Sequence, residues 1–285
     1  DVLSNPYGVL YNPYSIQEVF HHMLGHREIG EQDFVRHSGL WHSYLHHGSF
    51  SEPEKSVLLE KIDNVRQESV EFLKQADFLF ITLGTAWVYE LKSSNRIVSN
   101  CHKVPAKEFK RFRLASCDIT DEIGMLLQKL EELNPELKVI FTLSPIRHLK
   151  DGAVENTLSK SILSVSIHEL VTTYTQCHYF PSYELVMDDL RDYRFYAADM
   201  THLSPQAVDY IFERFSQTFF KKETFSQMEQ IDKLLKALAH RPFNSETEAH
   251  QTFLKNTLSS IQQLQKVFPS QNWENEIEII EKQLL

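Results

Sequence analysis

Asp199-Met-Thr-His202-Leu-Ser-Pro places a carboxylate three residues ahead of an imidazole, just before the start of a helix. In that order the carboxylate can hold the ring through Nδ1–H. Nε2 is then free to take a proton from an attacking hydroxyl, which is the acid–base half of a serine-hydrolase triad. The spacing alone arises often by chance, so its setting matters. Ser204 is a good N-cap, Pro205 suits the first helical position, and Leu203 with Val208 is spaced for a hydrophobic staple. Val208, Ile211, Phe212, Phe215 and Phe219 then share one helical face. His202 is therefore expected on a loop at a helix N-terminus, beside an open end of the fold.

Other segments carry groups that could line a site. Gly8, inside the turn-rich stretch Asn5-Pro-Tyr-Gly-Val-Leu-Tyr-Asn-Pro13, could offer its N–H to an oxyanion or simply build a rigid double turn. Gly84-Thr85-Ala-Trp87 follows the strongest strand signal, where a backbone donor, a hydroxyl and an aromatic wall could meet a ligand. Ser144-Pro-Ile-Arg147-His148 sits at the equivalent end of the next strand, where Arg147 and His148 could bind an anion or shape a leaving-group pocket. Histidines crowd the N-terminal part. His22/His26 and His42/His46 have the i, i+4 spacing of a helical metal chelate, but no cysteine or acidic cluster completes a four-ligand set. Cys101-His102 suggests a thiol nucleophile, although adjacency in sequence does not bring sulfur against imidazole.

The elements that must position these groups show in the hydrophobic pattern. Phe78 to Leu83 and Val139 to Leu143 are short unbroken apolar runs, and Tyr179-Phe-Pro181 is a weaker one. Such runs suit parallel strands buried on both faces. Helical stripes lie between them: Leu58, Ile62, Val65 and Phe72 after a Ser51/Glu54 capping-box spacing, then Ile119, Ile123, Leu126, Leu127 and Leu130, then Leu158, Ile162, Val165 and Leu170. Strands alternating with helices predict a three-layer α/β/α domain with a mostly parallel sheet over 1–222, its ligands bound beyond the carboxyl ends of the strands. Residues 223–285 lack a strand signal and read as a helical extension. Phe225, Met228, Ile231, Leu235 and Leu238 mark its first helix. Asn244 or Ser245 caps the second, which carries Phe253, Leu258, Ile261 and Leu264. Trp273, Ile277, Ile280 and Leu284 mark the third. Such helices could pack on the domain or mediate oligomerisation.

Bulk properties narrow the function classes. The 285 residues are 42% hydrophobic, enough for a sizeable core. A net charge of −10 and a pI near 5.8 argue against nucleic acid as the main partner. No apolar run approaches the ~20 residues of a membrane span. Cys101, Cys117 and Cys177 are odd in number and without C-x-x-C spacing, which suits a reducing, cytoplasmic compartment and free thiols. The chain begins with Asp1-Val-Leu-Ser and no initiator methionine, as if within a domain.

Taken together and in order, these segments resemble the GSCFA-domain family, a branch of the SGNH (GDSL-like) hydrolases. The resemblance spans about residues 1 to 220. Its matching stretches are Asn5–Pro13, Gly39-Leu-Trp41-His-Ser43 with His46-His47, Leu83-Gly-Thr-Ala-Trp87, Asn100-Cys-His-Lys103, Ser144–His148, Pro181-Ser-Tyr-Glu184 and Asp199–His202. It implies an ester hydrolase or acyl transferase acting on a small or carbohydrate-like substrate, with no cofactor and no metal. His202 would be the base and then the acid, and Asp199 its orienting carboxylate. Gly8, Gly84 and Thr85 would lie on the oxyanion side, and Trp41, Trp87, Arg147 and His148 would line the pocket.

Two departures follow from the same resemblance. The third SGNH block usually carries Asn two residues after its Gly, where this chain has Ala86. The name-giving Gly-Ser-Cys-Phe-Ala segment, which supplies the nucleophilic serine, does not occur in the sequence. It is expected upstream of Asp1 together with an interior strand, so these residues alone are expected to be inactive. The other expectations are a non-catalytic scaffold that keeps the fold and, further off, a histidine-based metalloprotein.

Overall fold

The computed structural model describes residues 1–269 and 271–284. Two compact units divide the chain, Asp1–Ile211 and Phe212–Leu285. In the first, Asn12 opens helix α1 (Pro13–Met23). Its Oδ1 accepts the Ser15 N–H at 2.8 Å, and Pro13 takes the first helical position, where no N–H is needed. A hairpin of β1 (Phe34–His37) and β2 (Leu40–Ser43) follows. Its turn, Ser38-Gly39, has φ values of +50° and +83°, the mirror-image geometry that matches strand twist. Helix α2 (Lys55–Gln75) then leads into β3 (Phe78–Leu83). The capping box expected of Ser51 and Glu54 does not form, because Ser51 Oγ is bonded to His42 Nδ1 at 2.5 Å.

Beyond β3 the chain builds a small antiparallel sheet from β4 (Trp87–Leu91), β5 (Arg96–Val98) and β6 (Phe109–Arg113), in the order β5-β4-β6. Helix α3 (Ser116–Leu133), β7 (Lys138–Leu143), α4 (Ala153–Thr173) and β8 (Cys177–Phe180) complete the main sheet. Its strands are all parallel, in the order β3-β7-β8, and helices flank it as expected of an α/β domain. A single turn, α5 (Ser182–Glu184), runs into a π turn at Leu185–Asp189, and a loop then reaches α6 (Pro205–Phe219).

Burial corrects several expectations. β7 is buried on both faces, from Val139 to Phe141 and at Leu143. β3 is not: Ile81 and Leu83 are buried, whereas Phe78 and Phe80 are about half exposed, and the strand forms one edge of the sheet among the described residues. The α3 stripe Ile119, Ile123, Leu126, Leu127 and Leu130 is wholly buried, as its spacing predicts. The α4 stripe is out of phase. Leu158 and Val165 are exposed, and the buried face carries Asn156, Ser159, Lys160, Leu163, Ser166, Ile167 and Leu170. On α6, Ser204 Oγ accepts the Ala207 N–H at 3.4 Å, in keeping with a cap. No staple forms, because Val208 is exposed and Leu203 packs with the cluster of Val186, Leu190 and Ala207.

The second unit contains α7 (Lys222–Ala239), α8 (Glu248–Val267) and α9 (Glu274–Glu281), around a core of Leu234, Leu254, Ile261, Leu264, Trp273 and Ile280. Ile231 and Leu238 of the predicted α7 stripe pack on this core, whereas Leu235 is exposed and Leu234 is buried in its place. The cap of α8 is Thr247, whose Oγ1 accepts the His250 N–H, rather than Asn244 or Ser245. Among the described residues no helix is long and apolar enough to cross a membrane.

Candidate active site

The Asp199–His202 pair is assembled within one short loop. Tyr196 and Leu203 form an isolated antiparallel bridge, Ala197 N donates to His202 O at 2.8 Å, and Ser204 N donates to Phe195 O at 2.9 Å, so the loop closes on itself. At its tip Met200 sits at φ +59°, a left-handed conformation that a side-chain-bearing residue adopts at some cost. Asp199 Oδ1 accepts the N–H groups of Thr201 and His202, both at 2.9 Å. Its Oδ2 is 2.5 Å from His202 Nδ1. These bonds to the imidazole and then to the two amides hold the Asp199 carboxyl down to about 2, so it is ionised throughout the neutral range. Both side chains are more than half exposed. The geometry fixes Nδ1 toward the carboxylate and turns the opposite ring edge away from it, as a general base requires. Among the described residues no serine, threonine or cysteine side chain is hydrogen-bonded to His202 Nε2.

The main-sheet strands are parallel, so Gly84, Ser144 and Pro181 all leave the sheet at the same edge. There the structure gathers Gly84, Thr85 and His148 with one residue the sequence reading did not single out, Tyr11. The Tyr11 carbonyl accepts both the Gly84 N–H at 2.8 Å and the Thr85 N–H at 2.9 Å. Those two amides, expected to face an oxyanion, instead tie the N-terminal turn to the end of β3. Thr85 Oγ1 accepts the Trp87 N–H at 3.2 Å and lies 3.2 Å from Ser159 Oγ. Gly8 also has a different task. Its N–H closes a turn on Asn5 O at 2.8 Å, its φ is +86°, and a Cβ there would collide with the His47 side chain. Glycine is required for close approach of backbone to His47.

His148 packs edge-on against the Tyr11 ring, with centroids 5.9 Å apart, and burial followed by the charges of Lys160 and Arg111 lowers its pKa. Arg147 reaches from the same loop to Met187 Sδ at 4.0 Å, linking this corner to the π turn after β8. Trp87 is a wall rather than an open platform, covered by the Arg111 guanidinium 4.3 Å from its ring. Arg111 and Arg113 on β6 pair with Asp151, in the turn before α4, and with Glu155, in the first turn of α4, and fix that wall. Trp41 belongs elsewhere, in the cluster of Phe50, Leu58 and Ile62 with Lys55 5.1 Å from its ring.

Other chemical candidates resolve into packing. α1 ends at Met23, so His22 and His26 are not one turn apart on a helix, and His42 lies on a strand. His22 Nδ1 is bonded to Tyr7 Oη at 3.1 Å, His46 Nδ1 to Ser43 Oγ at 2.8 Å, and His102 Nε2 donates to Ser43 O at 2.7 Å. Burial lowers these rings to about 4, 3 and 4 respectively, so they are neutral members of a polar core. Among the described residues no three His, Cys, Asp or Glu side chains are grouped to hold a metal ion. Burial pushes the Cys101 thiol up to about 11, the wrong direction for a nucleophile.

The GSCFA family model matches residues 1–215, and a second model, the GSCFA domain protein C-terminal domain, matches residues 231–285. The chain belongs to the GSCFA family. No curated protein and no solved structure matches it.

Proposed function

We propose that this GSCFA protein cleaves or transfers an acyl ester by the SGNH mechanism, with His202 as general base and then acid and Asp199 as its orienting carboxylate. The observation that carries the reading is the 2.5 Å Asp199–His202 bond on an exposed loop, reinforced by two backbone amides on the same carboxylate. The attacking hydroxyl is assigned to a serine outside residues 1–285, whose strand would add to the open edge of β3. His202 Nε2 accepts the serine proton as the hydroxyl attacks the ester carbonyl. The imidazolium, stabilised by Asp199, returns that proton to the leaving oxygen, and water or a second alcohol then releases the acyl group.

Gly84, Thr85, Trp87, Arg147 and His148 would line the ester side of this edge, with the neutral His148 ring beside Gly84. Arg147 suits a substrate with an anionic or polyol portion, and a small or carbohydrate ester fits that description. A non-catalytic scaffold is favoured by one observation, the lack of a hydroxyl bonded to His202 Nε2 among the described residues. Turnover of an activated ester by the full-length protein separates the two. His202→Ala is expected to lower kcat by about 10³-fold or more. Equal turnover in the two proteins would refute the assignment.

A further inference from the structure

α4 buries a face that changes character along its length. Leu163, Ile167 and Leu170 close its second half on the core, as an amphipathic helix should. The first half buries Asn156, Ser159 and Lys160 instead, at i, i+3 and i+4. Lys160 is 2% exposed, and among the described residues no carboxylate pairs with it. A buried ammonium without a counter-ion is costly, and an apolar side chain of similar length would fill the space with less penalty. Its contacts give a reason for its presence. Nζ donates to Gly84 O and to Ser144 O, both at 2.6 Å, and these residues directly follow β3 and β7.

The neighbouring groups extend the same pattern. The Gly84–Thr85 peptide turns its oxygen to Lys160 and its N–H to Tyr11 O, so one peptide plane transmits the polarisation to the turn before α1. Ser159 Oγ accepts the Ala86 N–H at 2.8 Å, and Asn156 Oδ1 accepts the His148 N–H at 2.9 Å. Two chain segments far apart in sequence thus meet one helical face, and the Tyr11 turn is joined to them through the Gly84 and Thr85 amides. We propose that Lys160 is the positioning residue of the candidate active site. Its ammonium, flanked by Ser159 and Asn156, sets the mutual spacing of the Tyr11 turn, the Gly84–Thr85 segment and the Ser144–His148 loop. The consequence for turnover rests on the ester-cleaving reading; the positioning does not.

Amide hydrogen exchange on the full chain tests it. In Lys160→Met, the amides of Gly84, Thr85, Ala86 and His148 are expected to exchange about 10- to 100-fold faster, as loss of charge-assisted hydrogen bonds implies. Amides of Val139 to Phe141 should stay within about twofold of wild type. Unchanged loops, or a uniform loss of protection through the sheet, would overturn the proposal, since a mere filler gives one or the other. Should this variant not fold, the wild-type ammonium answers the same question by NMR. A slowly exchanging Lys160 ζ-ammonium with hydrogen-bond couplings to the Gly84 and Ser144 carbonyl carbons is expected, and a rapidly exchanging amine without them contradicts it. In the full-length protein, Lys160→Met should lower kcat about 10- to 100-fold with KM within about threefold. If His202→Ala leaves turnover intact while Lys160→Met still loosens the three segments, the ester reading fails and the positioning stands. The opposite pair of results separates them the other way.

Discussion

The Asp199–His202 loop and the corner at the ends of β3 and β7 are built by opposite means. The first is exposed, and its bonds join residues at most nine apart in sequence. The second is buried, and its bonds join residues far apart: Lys160 and Gly84 are separated by 76 positions, Ser159 and Ala86 by 73. One short segment suffices to make an oriented imidazole, whereas a positioned loop edge needs the whole domain. The Asp–His pair can therefore be assembled locally, while the corner at the strand ends depends on long-range packing.

That contrast can be broken at either end. The largest effect is expected from Asp199→Asn, which keeps the size of the side chain but favours the wrong imidazole tautomer, and turnover by the full-length protein should fall about 10³- to 10⁴-fold. Its melting temperature should barely move, because the loop is exposed and self-contained. A large loss of stability with activity preserved would place the pair in the structural class instead. Gly8→Ala tests the long-range side. A Cβ there meets His47 at φ +86°, so a loss of about 3 kcal/mol or more is expected in denaturant unfolding. Gly39 has nearly the same φ, +83°, but open space around it, and Gly39→Ala should lose only about 1 kcal/mol. Equal losses would show that conformation rather than packing sets the need for glycine at position 8.

Acid gives a smaller and more gradual effect. His22, His46 and His102 are lowered from 6.5 to about 4, 3 and 4 in the folded chain, so the unfolded chain binds their protons first. Stability should then fall as pH drops from about 6.5 toward 3 and level off below, as far as these rings are concerned. Asp199, held at about 2 against an ordinary 3.8 but exposed to solvent screening, adds only a small separate loss as pH falls through that lower window. His46→Phe should flatten the first window, and an unchanged slope in thermal melts would remove the buried rings as its cause. Cys101→Ala should leave turnover unchanged within about twofold, since its thiol is held protonated.

The same division explains what the sequence discloses. The β7 run and the α3 stripe are legible because an apolar run or a helical apolar spacing is a local pattern that burial obeys, and β3 is legible as a strand though Phe78 and Phe80 stay half exposed. The phase of α4 is not, because its first buried turns hold polar groups that bond to distant carbonyls and amides. The antiparallel sheet and the hairpin escape detection too: β6 reads Phe109-Lys-Arg-Phe-Arg113, a half-exposed strand with charges in its run. Within the site, Asp199 and His202 announce themselves by spacing. Tyr11 enters through its carbonyl, a group every residue carries, and through a ring packed on His148, a pairing across 137 positions that no local side-chain pattern could have flagged. Gly84 and Thr85 were recognisable as a strand-end turn, but which acceptor their amides would meet was decided by residues some 70 positions away.

The most direct test is to treat the full-length protein with a fluorophosphonate ester, which traps a serine activated by a neighbouring imidazole, and to map the modified residue. One serine outside residues 1–285 should be labelled, and the label should be lost in His202→Ala. Labelling of a serine within residues 1–285, labelling that persists without His202, or no labelling at all would contradict the account.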